Sequence, residues 1–121
     1  MIGMDCRDPS ISLQRRAPDV WWQNIDISDR VGVNVVFNRI AADYPRIDFV
    51  LHMAAFYHFG QHWLPEDERV NIRGLRNILE GASRVDTKRF VFAGSIASLP
   101  PPPVGCVLTE KSTPGTATAY T

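Results

Sequence analysis

The chain has 121 residues, the size of one ordinary domain with one core. Thirteen basic side chains balance thirteen acidic ones, so the electrostatic footprint of a nucleic-acid binder is missing. Hydrophobic content of 45% with 21% charged residues is globular composition, and no apolar run approaches the roughly 20 residues that span a bilayer. Cys6 and Cys106 form neither a disulfide framework nor a metal clip, and two reduced thiols fit a cytoplasmic protein.

Along the chain, Met1 to Met4 predicts a short strand that ends in the polar turn Asp5-Cys6-Arg7-Asp8-Pro9. Pro9 to Asp19 is polar and basic with proline near both ends, which predicts a surface loop. Val20 to Ile25 is rich in strand formers and stops at Asp26-Ile27-Ser28-Asp29, a run able to cap a helix. Val33, Val36, Phe37, Ile40 and Tyr44 then repeat at helical spacing, until Pro45 stops the helix. Phe49-Val50-Leu51 is continuously apolar, which predicts a strand covered on both faces in a parallel sheet.

A loop rich in aromatics and histidine follows, and Pro65-Glu66-Asp67-Glu68 opens a second helix with acidic residues suited to its dipole. Leu75, Ile78, Leu79 and Ala82 are the expected buried stripe of that helix. Gly74 inside it costs about 1 kcal/mol relative to alanine, which predicts close approach of another backbone. Phe90 to Ala93 predicts another buried strand, ended by Gly94-Ser95. Pro100 to Pro103 is a stiff extended segment, and Thr109 to Thr118 reads as a polar loop. The alternation of strands and helices implies right-handed crossovers and a parallel α/β sheet. Ligands of such sheets bind beyond the carboxyl ends of the strands, which directs attention to Asp5, Asp26, His52 to Ala55 and Ser95.

The segments DFVLHMAA (48–55), VNIRGLRNILEGA (70–82), RFVFAGSIAS (89–98) and AY (119–120) resemble the extended short-chain dehydrogenase/reductase family, the NAD-dependent epimerase/dehydratases. The likeness spans nearly the whole chain and also touches the 3β-hydroxysteroid dehydrogenase branch. It implies an incomplete Rossmann-type doubly wound parallel sheet, with residues 1–121 a partial NAD(P)-binding domain that carries the second to fifth strands of the family core. The family's first strand and its glycine-rich phosphate turn are expected ahead of Met1.

By that resemblance, Asp5 holds the adenosine ribose hydroxyls and repels a 2′-phosphate, although Arg7 two residues later works against NAD over NADP. A turn residue is the plain alternative for Asp5. Asp26, with Ile27 beside it, matches the adenine contact, and as a bare aspartate before a helix it is equally suited to capping. Met53, Ala54 and Ala55 match the run where the backbone approaches the cofactor. Asn71 matches the family asparagine, whose amide needs a partner, either on the cofactor side or in a neighbouring loop.

Ser95 matches the hydroxyl that orients the substrate oxygen, and Tyr120, 25 residues later, matches the general acid/base. A free tyrosine titrates near 10, so the family lowers it with a lysine four residues on, a position past residue 121 here. The activity implied is oxidation, reduction, epimerisation or dehydration at a hydroxyl or carbonyl carbon of a sugar nucleotide, steroid-like or related small molecule. The cofactor is NAD, with NADP possible. The alternatives are a non-catalytic Rossmann remnant and a module that self-associates through open sheet edges, so whether this chain is active stays open.

His52, His58 and His62 lack cysteine or carboxylate partners at ligand spacing, so no metal is expected. Trp21, Trp22, Phe56, Tyr57, Phe59 and Trp63 are read as core or as substrate-pocket lining, in the absence of a basic groove. The expected partner is a small molecule rather than nucleic acid or membrane, with a homo-oligomer possible.

Overall fold

The computed structural model describes residues 1–58 and 62–115. Its strands are β1 (Ile2–Asp5), β2 (Trp21–Asn24), β3 (Ile47–His52) and β4 (Thr87–Phe92). The helices are α1 (Ile11–Arg16), α2 (Arg30–Asp43) and α3 (Leu75–Ala82), the last entered directly from a π-helical segment, Asp67–Gly74. A short 3-10 turn, Ile96–Ser98, follows β4. All strand pairing is parallel, and the class is α/β with a partial Rossmann-like arrangement.

The parallel sheet is divided into two pairs. β1 pairs with β2, setting Ile2 opposite Trp21 and Asp5 opposite Asn24, and β3 pairs with β4, setting Ile47 opposite Thr87 and His52 opposite Phe92. Composition and pattern predict the strands themselves but carry no information on which edges meet, so the division was not legible in the sequence.

One layer of helices serves both pairs. Val33, Val36, Phe37 and Ile40 are the buried face of α2, with Val33 fully buried, and Ile25, Ile27, Ile78, Ala82 and Val85 complete the core. Ile2, Met4 and Trp21 of the first pair and Ile47, Val50 and Phe90 of the second pack against it. α2 begins where Asp29 accepts the Val31 amide at 3.0 Å. It ends at Tyr44, whose extended backbone is what the following Pro45 requires.

Three expectations need correction. The Pro9 to Asp19 segment contains α1, capped by Ser10 through the Leu13 amide and closed by Arg15 and Arg16 in its last turn. None of its side chains is buried, so it has no apolar stripe for periodicity to detect. The buried face of α3 is also rotated from the one expected. Asn77, Ile78, Gly81 and Ala82 point inward, and Leu79 is exposed.

The reason is contact distance. A Cβ on Gly81 would lie 2.3 Å from the Phe37 ring, and one on Gly74 would lie 2.7 Å from the Ile27 side chain. Gly74 therefore meets the close neighbour its position predicts, but that neighbour is mainly the Ile27 side chain, its backbone standing 3.6 Å off. Ile78 and Ala82 are buried as expected, and the small or polar residues Gly81 and Asn77 take the inward places that the leucine count gives to Leu75 and Leu79.

The third correction concerns β3 and β4. Val50 and Phe90 face the helices, whereas Phe49 and Leu51 on the alternate positions are 58% and 66% exposed, as is Val91 in part. The continuous apolar run predicts cover on both faces, and the described residues supply it on one. Among the described residues no helix is long and apolar enough to cross a membrane. Both cysteines are free and exposed.

Candidate functional site

The loops that follow β2 and β3 are tied together by the π-helical segment and the first turn of α3. Four residues along this stretch each make one attachment. Arg69 Nη1 donates to Asp26 Oδ2 at 2.7 Å and also bonds the Ser28 hydroxyl. Asn71 brackets one peptide of the post-β3 loop, its Oδ1 accepting the Phe56 amide at 2.8 Å and its Nδ2 donating to the Phe56 carbonyl at 3.0 Å. Gly74 admits the Ile27 side chain, and buried Asn77 donates to the Ile27 carbonyl at 2.9 Å. A π-helical stretch is rare and often marks a functional region. Here it spaces Arg69 and Asn71 so that one segment grips both loops.

Asp26 does not cap α2, since Asp29 takes that role. Its Oδ1 accepts the Ser28 amide and hydroxyl at 2.9 and 2.8 Å, an aspartate turn that shapes the loop after β2. The Arg69 guanidinium, and next the Ser28 amide, hold this carboxyl below the ordinary aspartate value of 3.8. Because the folded group titrates below its unfolded counterpart, its contribution to stability is complete above about 3.8 and is lost as pH falls toward the depressed value. Arg69→Ala is expected to move the Asp26 midpoint upward, read from its carboxyl carbon by NMR. An unmoved midpoint would contradict the pairing. The stability change should be small, because both side chains are about half exposed.

Ile27 contributes differently from the expectation. Its side chain lies in the core, so only its backbone can face a ligand. Asn71 has its partners in the Phe56 peptide of the neighbouring loop and, at 3.4 Å, in Asp67. Met53 is 77% exposed, and Ala54 and Ala55 beside it are exposed as well. The run thus presents small side chains and open backbone immediately before the clamped peptide.

Asp5 lies at the carboxyl end of β1, where its carbonyl accepts the Ile25 amide at 2.8 Å, one residue before Asp26. Its Oδ1 accepts the Arg7 amide at 2.9 Å, with the Arg7 guanidinium 3.7 Å away. A carboxylate and a cation therefore share this strand end, and the carboxylate also shapes its turn.

At the end of β4, Ala93 donates to the His52 carbonyl at 3.0 Å, and Ser95 follows two residues on. The Ser95 hydroxyl accepts the Ala97 amide at 3.2 Å and so caps the 3-10 turn. Its own O–H remains available to donate. The turn is anchored further by Gly115, which donates to the Ser98 carbonyl at 2.8 Å. His52 stacks with Phe90 and Phe92 at ring-centroid distances of 6.1 and 5.9 Å, and burial lowers its pKa. Tyr120 and Phe59 lie outside the described residues.

A larger open groove of about 510 Å³ lies elsewhere, bordered by Ala82, Val85, Thr87 and Phe90 at the amino end of β4. Parallel sheets use the opposite ends of their strands for ligands, so the groove's size is no argument for it.

The strand-end residues lie at the carboxyl ends of parallel strands, and the model of the NAD dependent epimerase/dehydratase family matches residues 2–121. The chain belongs to that family. No match was found among curated proteins. Membership in the epimerase/dehydratases implies a nicotinamide dinucleotide as cofactor. In α/β sheets of this kind the loops at the strand ends form the ligand crevice.

Two attachments were not anticipated from the epimerase/dehydratase pattern. Arg69 reads in sequence as one more exposed cation. Asp67 reads as a first-turn acid, yet it is fully buried and accepts the Leu64 amide at 2.8 Å. Leu64 before Pro65, with an aspartate three residues later, is a capping-box spacing, and that signal was available.

Proposed function

We propose that the chain forms the dinucleotide-binding part of an NAD(P)-dependent oxidoreductase, epimerase or dehydratase. Its substrate is a small molecule, such as a sugar nucleotide or steroid-like alcohol, with a reacting hydroxyl or carbonyl carbon. The observation that carries this reading is the gripping of the post-β2 and post-β3 loops by one π-helical segment, with Met53, Ala54 and Ala55 left open beside it. The residues fit a dinucleotide. Small exposed side chains let phosphate oxygens approach backbone amides, and the half-exposed Asp5 carboxylate can accept from vicinal ribose hydroxyls.

In this reading Asp5 and the backbone of Asp26 and Ile27 hold the adenosine half, and Met53 to Ala55 lie along the remainder. The bound nicotinamide supplies a hydride acceptor and donor. Ser95 donates its O–H to the substrate oxygen while its lone pair holds the Ala97 amide, which fixes the direction of that donation. Tyr120 carries the proton that leaves or returns to the same oxygen. Asn71 serves the ligand indirectly, through the Phe56 peptide.

Asp5 favours NAD, because a carboxylate there repels a 2′-phosphate, and Arg7 narrows the preference. Calorimetric titration with NADH and NADPH tests the reading. Saturable binding of one dinucleotide per chain is expected, tighter for NADH. An absence of heat and of saturation with both would overturn the proposal for this chain.

A further inference from the structure

Asp67 is the most deeply buried charged residue described, with no exposed surface. Its Oδ2 accepts from the Leu64 amide at 2.8 Å and from His58 Nε2 at 3.1 Å, while Asn71 Nδ2 approaches Oδ1 at 3.4 Å. One carboxylate therefore touches both limbs of the segment after β3, His58 on the outgoing limb and Leu64 on the returning one. It also touches the asparagine that brackets Phe56 between them and the strand. The Phe56 and His58 rings lie 5.6 Å apart, so the outgoing limb is held as a packed unit. A buried carboxylate is stable only when its oxygens are well supplied with donors. His58, Leu64 and Asn71 supply those donors.

We infer that Asp67 is the positioning residue of the candidate site, fixing the backbone from Met53 to His58 in the form that binds the dinucleotide. The inference rests on the function proposed above. Its chemistry requires one oxygen shared by the two limbs and a second facing the Asn71 amide. An asparagine in that place has one acceptor oxygen, and its NH2 must oppose either the Asn71 Nδ2 or the two limb donors, so either the bracket on Phe56 or both limbs lose a partner.

The test compares Asp67→Asn, His58→Phe and His58→Gln in the full chain, by amide hydrogen exchange and by NADH titration. His58→Phe keeps a ring beside Phe56 and removes the donor. In both Asp67→Asn and His58→Phe, exchange at the Phe56 amide is expected to quicken about tenfold and NADH affinity to fall about tenfold. Exchange at Val36, Phe37 and Ile40 should stay unchanged. His58→Gln returns a donor to Asp67 and should recover both readings, which a role in mere ring packing would not produce. Unchanged Phe56 exchange in His58→Phe overturns the inference, and so does quickened exchange with undiminished affinity. If the parent chain binds neither dinucleotide, the function reading falls, and the Phe56 exchange rates alone decide whether Asp67 sets the path of the loop.

Discussion

Phe37→Ala is expected to destabilise the chain by about 3–5 kcal/mol, the cost of emptying a large aromatic site in a packed core. Phe37 is 3% exposed and lies on the inward face of α2, between that helix and Gly81 of α3. Ordinary domains are stable by about 5–15 kcal/mol in total, so this single truncation removes a large share. The apolar surface that Phe49 and Leu51 leave open gives the chain little reserve. Urea unfolding followed by tryptophan fluorescence reads the change, with Trp21 and Trp22 on β2 as reporters. A loss below about 1 kcal/mol would place Phe37 outside the seam between the two helices.

Gly81→Val acts on the same seam from the other side. A Cβ alone would come within 2.3–2.7 Å of three Phe37 ring atoms, and these are not the free end of a flexible chain. Helix propensity favours valine over glycine by a few tenths of a kcal/mol, but forced overpacking typically costs 1–3 kcal/mol and prevails. A net loss of about 3 kcal/mol is expected, at the upper end because two further methyl groups follow the Cβ. Gly81→Ala already places that Cβ against the ring and should destabilise by itself, whereas in the Phe37→Ala background it should stabilise. With the ring gone, the added methyl fills space and gains about 1 kcal/mol of helix propensity. Such non-additivity between touching residues is the signature of direct contact. Additive losses would show that the two positions do not meet.

The sequence made some of this architecture plain and hid the rest for physical reasons. Val33, Val36, Phe37 and Ile40 are bulky and regularly spaced, so their burial follows directly from period. The inward face of α3 was misjudged because closeness is achieved there by Gly74, Gly81 and an asparagine, residues that no hydrophobic count rewards. α1 was missed because its stability is local, resting on a serine cap and two terminal arginines. The parallel pairing of neighbouring strands was legible, whereas the division into two pairs depends on edges that sequence pattern does not encode.

The site divides in the same way. Position at strand ends and family likeness single out Asp26, Ala54, Ala55 and Asn71, and the structure joins the loops that carry them. The same reasoning names Ile27, but its side chain is spent on the core and only its backbone remains for a ligand. Arg69 went unnoticed because its partner is 43 residues away, a distance at which charge patterning is silent. Asp67 was seen as a complement to the helix dipole, which describes its place in the first turn and misses its burial.

The carboxyl ends of the four strands are proposed to bind a nicotinamide dinucleotide. Amide NMR of the labelled chain, titrated with NADH, tests it residue by residue. Saturating shifts are expected at Ile27, Ser28, Ala54, Ala55, Phe56 and Ser95, with the α1 amides unmoved. Shifts confined to the groove around Val85, Thr87 and Phe90 at the amino end of β4, or no shifts at any dinucleotide concentration, would contradict it.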